Sequence, residues 1–179
     1  MSEVTRVYAG RLAGMVVRGP ETDVIGRVRD VVVNVRPAGH QSRVLGLVVE
    51  MTNKRRIFLP MLRIASIDPH EIMLVSGSVS LRAFKPRTGE LTIMGDIIGA
   101  KVQVDDPDLP KIHAKPVEVA DIEIERTRTR DWAISAVAVI SERAKFGRRT
   151  EILIASWKHV HGITAAGVGI SDAAAELLA

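Results

Sequence analysis

The sequence reads DVIGRVRDVVVNV at residues 23–35, RVLGLVVEM at residues 43–51 and RIFLP at residues 56–60, with a polar turn and then a basic turn between them. β-Branched and aliphatic residues dominate all three segments, and turn-forming residues separate them. Short apolar segments at this spacing predict three consecutive antiparallel β-strands. The apolar alternation changes phase near Asp30, which predicts a β-bulge at that residue.

A looser copy of these strands follows in the second half of the chain. VRDVVVNV around Asp30 aligns with VADIEIER around Asp121, RVLGLVVEM aligns with WAISAVAVI, and RIFLPMLRI aligns with EILIASWKHV. An offset of roughly ninety residues that drifts only at turns is typical of a tandem repeat. We therefore expect a mainly β protein made of two small antiparallel barrels, a first module at residues 1–88 and a second, divergent module at residues 89–164.

The last fifteen residues differ from both modules in composition. Small residues precede Ser171-Asp172, which resembles a helix N-cap, and an alanine- and leucine-rich segment follows. We expect residues 165–179 to be a linker and the start of a truncated helix that continues into a helical domain.

Composition limits the classes of protein to which the chain can belong. Hydrophobic residues make up 46% of the chain and aromatic residues 3%, so aliphatic side chains must fill the core. Cysteine is absent, which excludes disulfides and thiol nucleophiles. The N-terminus lacks the apolar segment of a signal peptide, and no run approaches the roughly 18 apolar residues of a membrane span. We expect a cytoplasmic protein that reaches the periphery of a membrane only through a partner.

The first module resembles the PRC-barrel family. The family pattern appears as Gly26–Asp30 (GRVRD), Val44–Val49 (VLGLVV) and Leu59-Pro60 followed by Ile64. The resemblance covers residues 10–76. The second module departs from the pattern, because Pro116-Val117 stands near the position of Gly26 and Ala155 replaces the proline.

The resemblance implies a non-catalytic function. PRC-barrels occur in the photosynthetic reaction-centre H subunit, in the ribosome-maturation factor RimM and beside the helical domain of MgtE-like magnesium transport proteins, and the Ser171–Ala179 segment resembles the opening of that helical domain. The implied role is a docking or regulatory module of an MgtE-like cytosolic protein, with a protein partner or the attached helical domain bound to it. The alternative is a RimM-like module that binds RNA or the ribosome. Self-association through strand edges is also open.

One acidic turn is a candidate metal site. Asp105, Asp106 and Asp108 supply the oxygen ligands that Mg²⁺ prefers. The turn lacks the glycine and distal glutamate of a calcium loop, and Asp-Pro is common turn chemistry, so a solvated turn is the competing interpretation. Apart from this candidate we expect no cofactor.

Basic residues gather in three predicted turns and form the candidate docking face. They could contact a protein, acidic lipid headgroups or RNA, although stacking aromatics are scarce. The sequence contains neither the nucleophile motif Gly-x-Ser-x-Gly nor a phosphate-binding GxxxxGK, so we do not expect an enzyme. The members of this face are Lys54, Arg55, Arg56, Arg126, Arg128, Arg130, Arg148 and Arg149.

Overall fold

The computed structural model describes residues 4–36, 40–164 and 167–168, and it confirms that the protein is mainly β. The predicted helix at Ser171–Ala179 lies outside the described residues. No helix within the described part of the chain is long and apolar enough to cross a membrane.

The first half contains seven strands, a one-turn α-helix and a 3-10 turn. The three strands that the sequence predicts are present at residues 24–34, 43–51 and 56–60, because their β-branched and aliphatic residues pack on a shared apolar face. The elements are β1 (Arg6–Tyr8), α1 (Ala9–Leu12), β2 (Val16–Arg18), β3 (Val24–Asn34), β4 (Arg43–Met51), β5 (Arg56–Pro60), the 3-10 turn Met61–Arg63, β6 (Ile64–Ile67) and β7 (Glu71–Leu74).

The second half follows a similar order, with a π-helix in place of α1, an additional 3-10 turn and an additional short strand at its end. Its elements are β8 (Glu90–Thr92), the π-helix Ile93–Ile97, β9 (Lys101–Val104), the 3-10 turn Pro110–Ile112, β10 (Pro116–Arg126), β11 (Trp132–Glu142), β12 (Glu151–Ser156), the 3-10 turn Trp157–His159, β13 (Val160–His161), β14 (Ile163–Thr164) and β15 (Gly167–Val168).

Thirteen of these strands belong to one sheet, and β14 pairs with β15 in a second. The main path of the large sheet runs β13-β9-β10-β11-β4-β3-β2-β7-β6, and β1, β5, β8 and β12 pair along it. β2 and β7 pair in parallel, in contrast to the antiparallel pairs around them. Because β4 and β11 join the halves into one sheet, the prediction of two separate antiparallel barrels is not confirmed.

An aspartate marks the same bulge in both halves. The β3–β4 register shifts between Val28 and Asp30, and the β10–β11 register shifts between Val119 and Asp121. The bulge predicted at Asp30 is therefore confirmed, and the repeat extends to the backbone irregularity itself. A bulge bends its strand and turns the backbone groups at that position away from the regular ladder.

The first segment of each half pairs with the bulged strand of the other half. β1 pairs with β10 from Arg6↔Glu125 to Tyr8↔Glu123, whereas β8 pairs with β3 from Glu90↔Asn34 to Thr92↔Val32. We call these segments the first arm (residues 6–12) and the second arm (residues 90–97). The exchange buries the aliphatic residues of both halves in one continuous core.

The strand register also corrects one detail of the sequence alignment. Gly46 pairs with Pro60 in the first half, and Ala136 pairs with Ser156 in the second. Ser156, and not Ala155, therefore stands at the position of the proline. The alignment was displaced because the loop before β12 is longer than the turn before β5, and sequence alone does not show where such an insertion ends.

Candidate docking site at the junction of the two halves

The two halves meet where β4 and β11 begin. Arg43 pairs with Ala133, and the Ile134 N–H donates to the Ser42 carbonyl at 2.9 Å. The Ser42 side chain is fully buried, and its Oγ accepts from the indole Nε1–H of Trp157 at 3.1 Å. Ser42 therefore fixes the spacing between the halves through both its backbone and its side chain.

A groove with a volume of about 320 Å³ opens beside this junction. Its apolar surface comes from the end of β5, the 3-10 turn after it and the start of β11. Leu62 is 89% exposed, although burial of a large aliphatic side chain lowers the free energy of the protein. Its lining residues include Arg43, Pro60, Met61, Leu62, Arg130 and Trp132.

Arginine side chains dominate the rim of the groove. Arg43 forms an ion pair with Asp131 at 3.0 Å, and Arg126 and Arg130 line the same groove. Among the described lining residues, the guanidinium groups of Arg43 and Arg130 outnumber the one carboxylate of Asp131, so the rim carries a positive balance. Arginine suits carboxylate recognition because its planar group donates two parallel hydrogen bonds.

The turn between β10 and β11 holds the rim arginine in a defined place. Arg130 has φ of +65°, in the left-handed region, and its N–H donates to the Thr127 carbonyl at 2.9 Å. Thr127 N–H in turn donates to the Asp131 carbonyl at 2.6 Å, and Thr129 Oγ1 donates to the Asp131 carboxylate at 3.1 Å. These hydrogen bonds fix the backbone of the turn and therefore the position of Arg130.

The structure distributes the eight residues of the candidate docking face over three turns. Lys54 and Arg55 lie in the turn after β4, and Arg56 begins β5. Arg126 ends β10, and Arg128 and Arg130 lie in the turn that follows it. Arg148 and Arg149 lie in the loop after β11. β4 and β11 run antiparallel from the junction, so the turns at their far ends point away from each other. Of the eight, Arg126 and Arg130 line the junction groove.

The aspartates of the acidic turn act locally. Asp106 is 8% exposed, and its Oδ1 accepts from the Asp108 N–H at 3.0 Å. Asp105 lies 3.2 Å from Nδ1 of His113. In the part of the chain that the structure describes, no group of three or more histidine, cysteine or acidic residues is arranged to hold a metal ion.

The sequence pointed to Arg126 and Arg130 but not to the other residues that make the groove. Arg43 sits at the start of a strand, Leu62 lies in a short connection, and Asp131 closes a turn, so none of them belongs to a motif. A large aliphatic residue between two arginine-containing segments was a weak signal for Leu62. The groove arises only because the two halves meet there.

Residues 91–166 match the family model of the actinomycetes SH3 domain. This segment makes up most of the second half. No curated protein matches the chain. SH3-type domains generally mediate protein–protein interactions, which agrees with the expectation of a protein partner. The match does not extend to the PRC-barrel or MgtE resemblance, which stays a prediction.

Two of the three aromatic side chains in the matched segment, Trp132 and Trp157, pack against the rest of the protein. SH3 domains bind proline-rich peptides in grooves lined by aromatic rings. Here Trp132 is only 8% exposed, and Trp157 donates its N–H to Ser42 in the first half. Phe146 is fully exposed but lies in the loop before β12. The junction groove therefore offers mainly aliphatic side chains and arginines on its surface.

Proposed function

We propose that this protein is a non-catalytic docking module that binds an acidic and apolar segment of a partner protein in the junction groove. The observation that supports this proposal is the 89% exposure of Leu62 in a groove whose rim carries Arg43 and Arg130. An apolar side chain of the partner would cover Leu62 and Met61, and a carboxylate beside it would contact the arginines.

The composition of the groove fits the usual distribution of binding energy in protein interfaces. A few well-packed residues in the centre contribute most of the affinity. Charged groups at the rim chiefly raise the association rate and select partners of opposite charge. Leu62 would therefore determine affinity, whereas Arg130 would contribute mainly to the rate of encounter.

We propose more specifically that the partner is a helical domain of the MgtE type, attached to the same polypeptide or supplied by a membrane-associated protein. The support is the resemblance of residues 10–76 to the PRC-barrel family, because some PRC-barrels occur beside a helical domain of the MgtE type. In this context the module would transmit the state of the helical domain in the cytoplasm, in connection with magnesium transport.

The alternative function is binding of RNA or the ribosome, as in RimM-like proteins. The observation that favours it is the single turn that contains Arg126, Arg128 and Arg130, together with a net charge of +4. Affinity for a polyanion falls steeply with salt because phosphate contacts release counterions. Docking that depends on Leu62 would depend much less on salt.

The test is affinity capture with the full chain and two charge variants. Leu62→Glu places a carboxylate in the groove, whereas Arg63→Glu is the matched control, because Arg63 is also exposed but does not line the groove. We expect the same partner to be recovered with the wild type and Arg63→Glu and lost with Leu62→Glu. Recovery that survives Leu62→Glu, or that disappears after ribonuclease treatment, would contradict the proposal.

A further inference from the structure

β12 is the outer strand of its hairpin, and its outer edge is unpaired within the part of the chain that the structure describes. It pairs with β11 from Ile140↔Ile152 to Ala136↔Ser156, and no other described strand pairs with its opposite side. Ile152 is 52% exposed and Ile154 is 59% exposed. An uncovered strand edge with aliphatic side chains offers unpaired backbone groups and apolar surface to another extended chain.

The corresponding edge in the first half is covered by the chain itself. Ala83 forms a β-bridge with Ile57, and the Phe84 N–H donates to the Arg56 carbonyl at 2.9 Å. The Phe84 ring lies 6.3 Å from the Phe58 ring. The segment between the halves therefore adds an extended stretch to β5 and places an apolar side chain over its centre.

The strand register identifies the positions in β12 that this covering would reach. Arg56 pairs with Glu50 and Ile152 pairs with Ile140, whereas Phe58 pairs with Val48 and Ile154 pairs with Ala138. Ile152 thus corresponds to Arg56, whose carbonyl accepts the hydrogen bond. Ile154 corresponds to Phe58, which contacts the covering ring.

We propose that the edge of β12 binds an extended segment of a partner protein by β-strand addition, with apolar side chains over Ile152 and Ile154 and acidic side chains toward Arg148 and Arg149. In this binding mode the main-chain hydrogen bonds supply affinity and alternate side chains supply specificity. The site is separate from the junction groove and does not rest on the function proposed there.

The charges beside β12 select an acidic segment. Lys145, Arg148 and Arg149 are exposed in the loop that leads into the strand, and no described acidic side chain forms an ion pair with them. The acidic residues close by are already engaged, because Glu118 pairs with Arg143 and Glu151 pairs with Lys111.

The same charges disfavour a second copy of this chain as the occupant. Antiparallel pairing of two β12 edges would bring the loop before one strand beside the residues after the other. Arg148 and Arg149 would then lie close to Lys158 of the second copy. Like charges placed opposite each other destabilise a strand pair.

The probe is an acetylated and amidated heptapeptide, Ser-Val-Phe-Val-Thr-Glu-Glu, whose acidic end meets the basic loop when it pairs antiparallel to β12. Titration calorimetry measures its binding to the full chain, and amide chemical shifts locate it. We expect shifts confined to β12 and the 143–149 loop. We also expect affinity to fall on the order of tenfold or more with Ile154→Lys, and likewise when alternate peptide nitrogens are methylated.

Two control variants separate the explanations. Leu62→Glu should leave peptide binding unchanged, because it alters only the junction groove. Arg148→Glu combined with Arg149→Glu should weaken binding of the acidic peptide and strengthen binding of a peptide that ends in two lysines. The proposal would be overturned if the peptide did not bind or if N-methylation had no effect on its binding. It would also be overturned if the protein formed a dimer through β12, or if removal of residues 169–179 made the peptide bind more tightly.

Discussion

Trp157 donates its indole N–H to Ser42 Oγ at 3.1 Å, although 115 residues separate them in the chain. The same Oγ accepts the Arg36 N–H at 3.1 Å, and Ser42 is completely buried. One hydroxyl group therefore satisfies donors from both halves at the point where they meet. The junction groove depends on this contact, because its walls come from the two halves.

Removal of the Ser42 hydroxyl should destabilise the protein more than removal of the Trp157 donor. Ser42→Ala leaves two donors without an acceptor and should lower the free energy of unfolding by about 2 kcal/mol. Trp157→Phe removes one donor and keeps most of the packing, so about 1 kcal/mol is expected. Urea denaturation measures both. Ser78→Ala, at an exposed position, is the control, and equal losses from all three variants would contradict the assignment.

The two bulge aspartates should differ in their contribution to stability. Asp30 accepts the N–H groups of Met94 at 2.8 Å and Gly95 at 3.0 Å from the second arm, whereas Asp121 accepts the Gly10 N–H at 3.0 Å from the first arm. Hydrogen bonds to a charged group contribute about 1.5–3 kcal/mol. We expect Asp30→Ala to cost about 2 kcal/mol and Asp121→Ala about 1 kcal/mol in thermal or chemical unfolding.

Hydrogen exchange tests the cause of this difference. In Asp30→Ala the amides of Met94 and Gly95 should exchange faster, because the second arm loses its anchor on β3. Asp108→Ala, in an exposed turn, should leave those amides unchanged. Faster exchange throughout the protein, without a local effect in the arm, would argue against the anchoring role.

Gly46 should not tolerate a methyl group. A Cβ at this position would lie 2.3 Å from the Leu59 carbonyl oxygen and 2.6 Å from the Phe58 ring. The backbone must therefore shift, and Gly46→Ala should cost about 2 kcal/mol, in the range of overpacked cores. Gly77→Ala is the matched control, because nothing lies within 4 Å of its added Cβ. A comparison of the two melting temperatures decides the point.

Glu50 should contribute stability that is lost in acid. Its carboxylate lies 2.9 Å from Arg29, and this hydrogen bond is the main cause that lowers the pKa of Glu50 below its ordinary value of 4.5. A carboxyl group whose pKa is lower in the folded state stabilises the fold above its unfolded pKa, and the contribution disappears as the pH falls through the folded pKa.

The corresponding measurement compares melting temperatures of the wild type and Glu50→Gln between neutral pH and acid. The variant should melt lower than the wild type above the ordinary glutamate pKa, and the difference should vanish at lower pH. Glu21→Gln, at an exposed position, is the control for the loss of a charge. A difference that grows in acid would have the wrong sign for this ion pair.

The strands, the repeat and the bulge follow from the order of the amino acids alone. Alternation with a period of two assigns each residue to a face, so the apolar segments of β3, β4 and β5 were recognisable from composition and spacing. The phase change near Asp30 indicated the bulge because an inserted residue reverses the alternation. These properties are local, and they hold whatever strand lies alongside.

Tertiary structure decided which strands pair and what surrounds the site. Alternation does not specify the neighbour of a strand, so neither the exchange of arms between β3 and β10 nor the join of Arg43 to Ala133 could be predicted. The junction groove follows from that join. Leu62 and Arg130 belong to different halves, and only the long-range packing brings them to one groove.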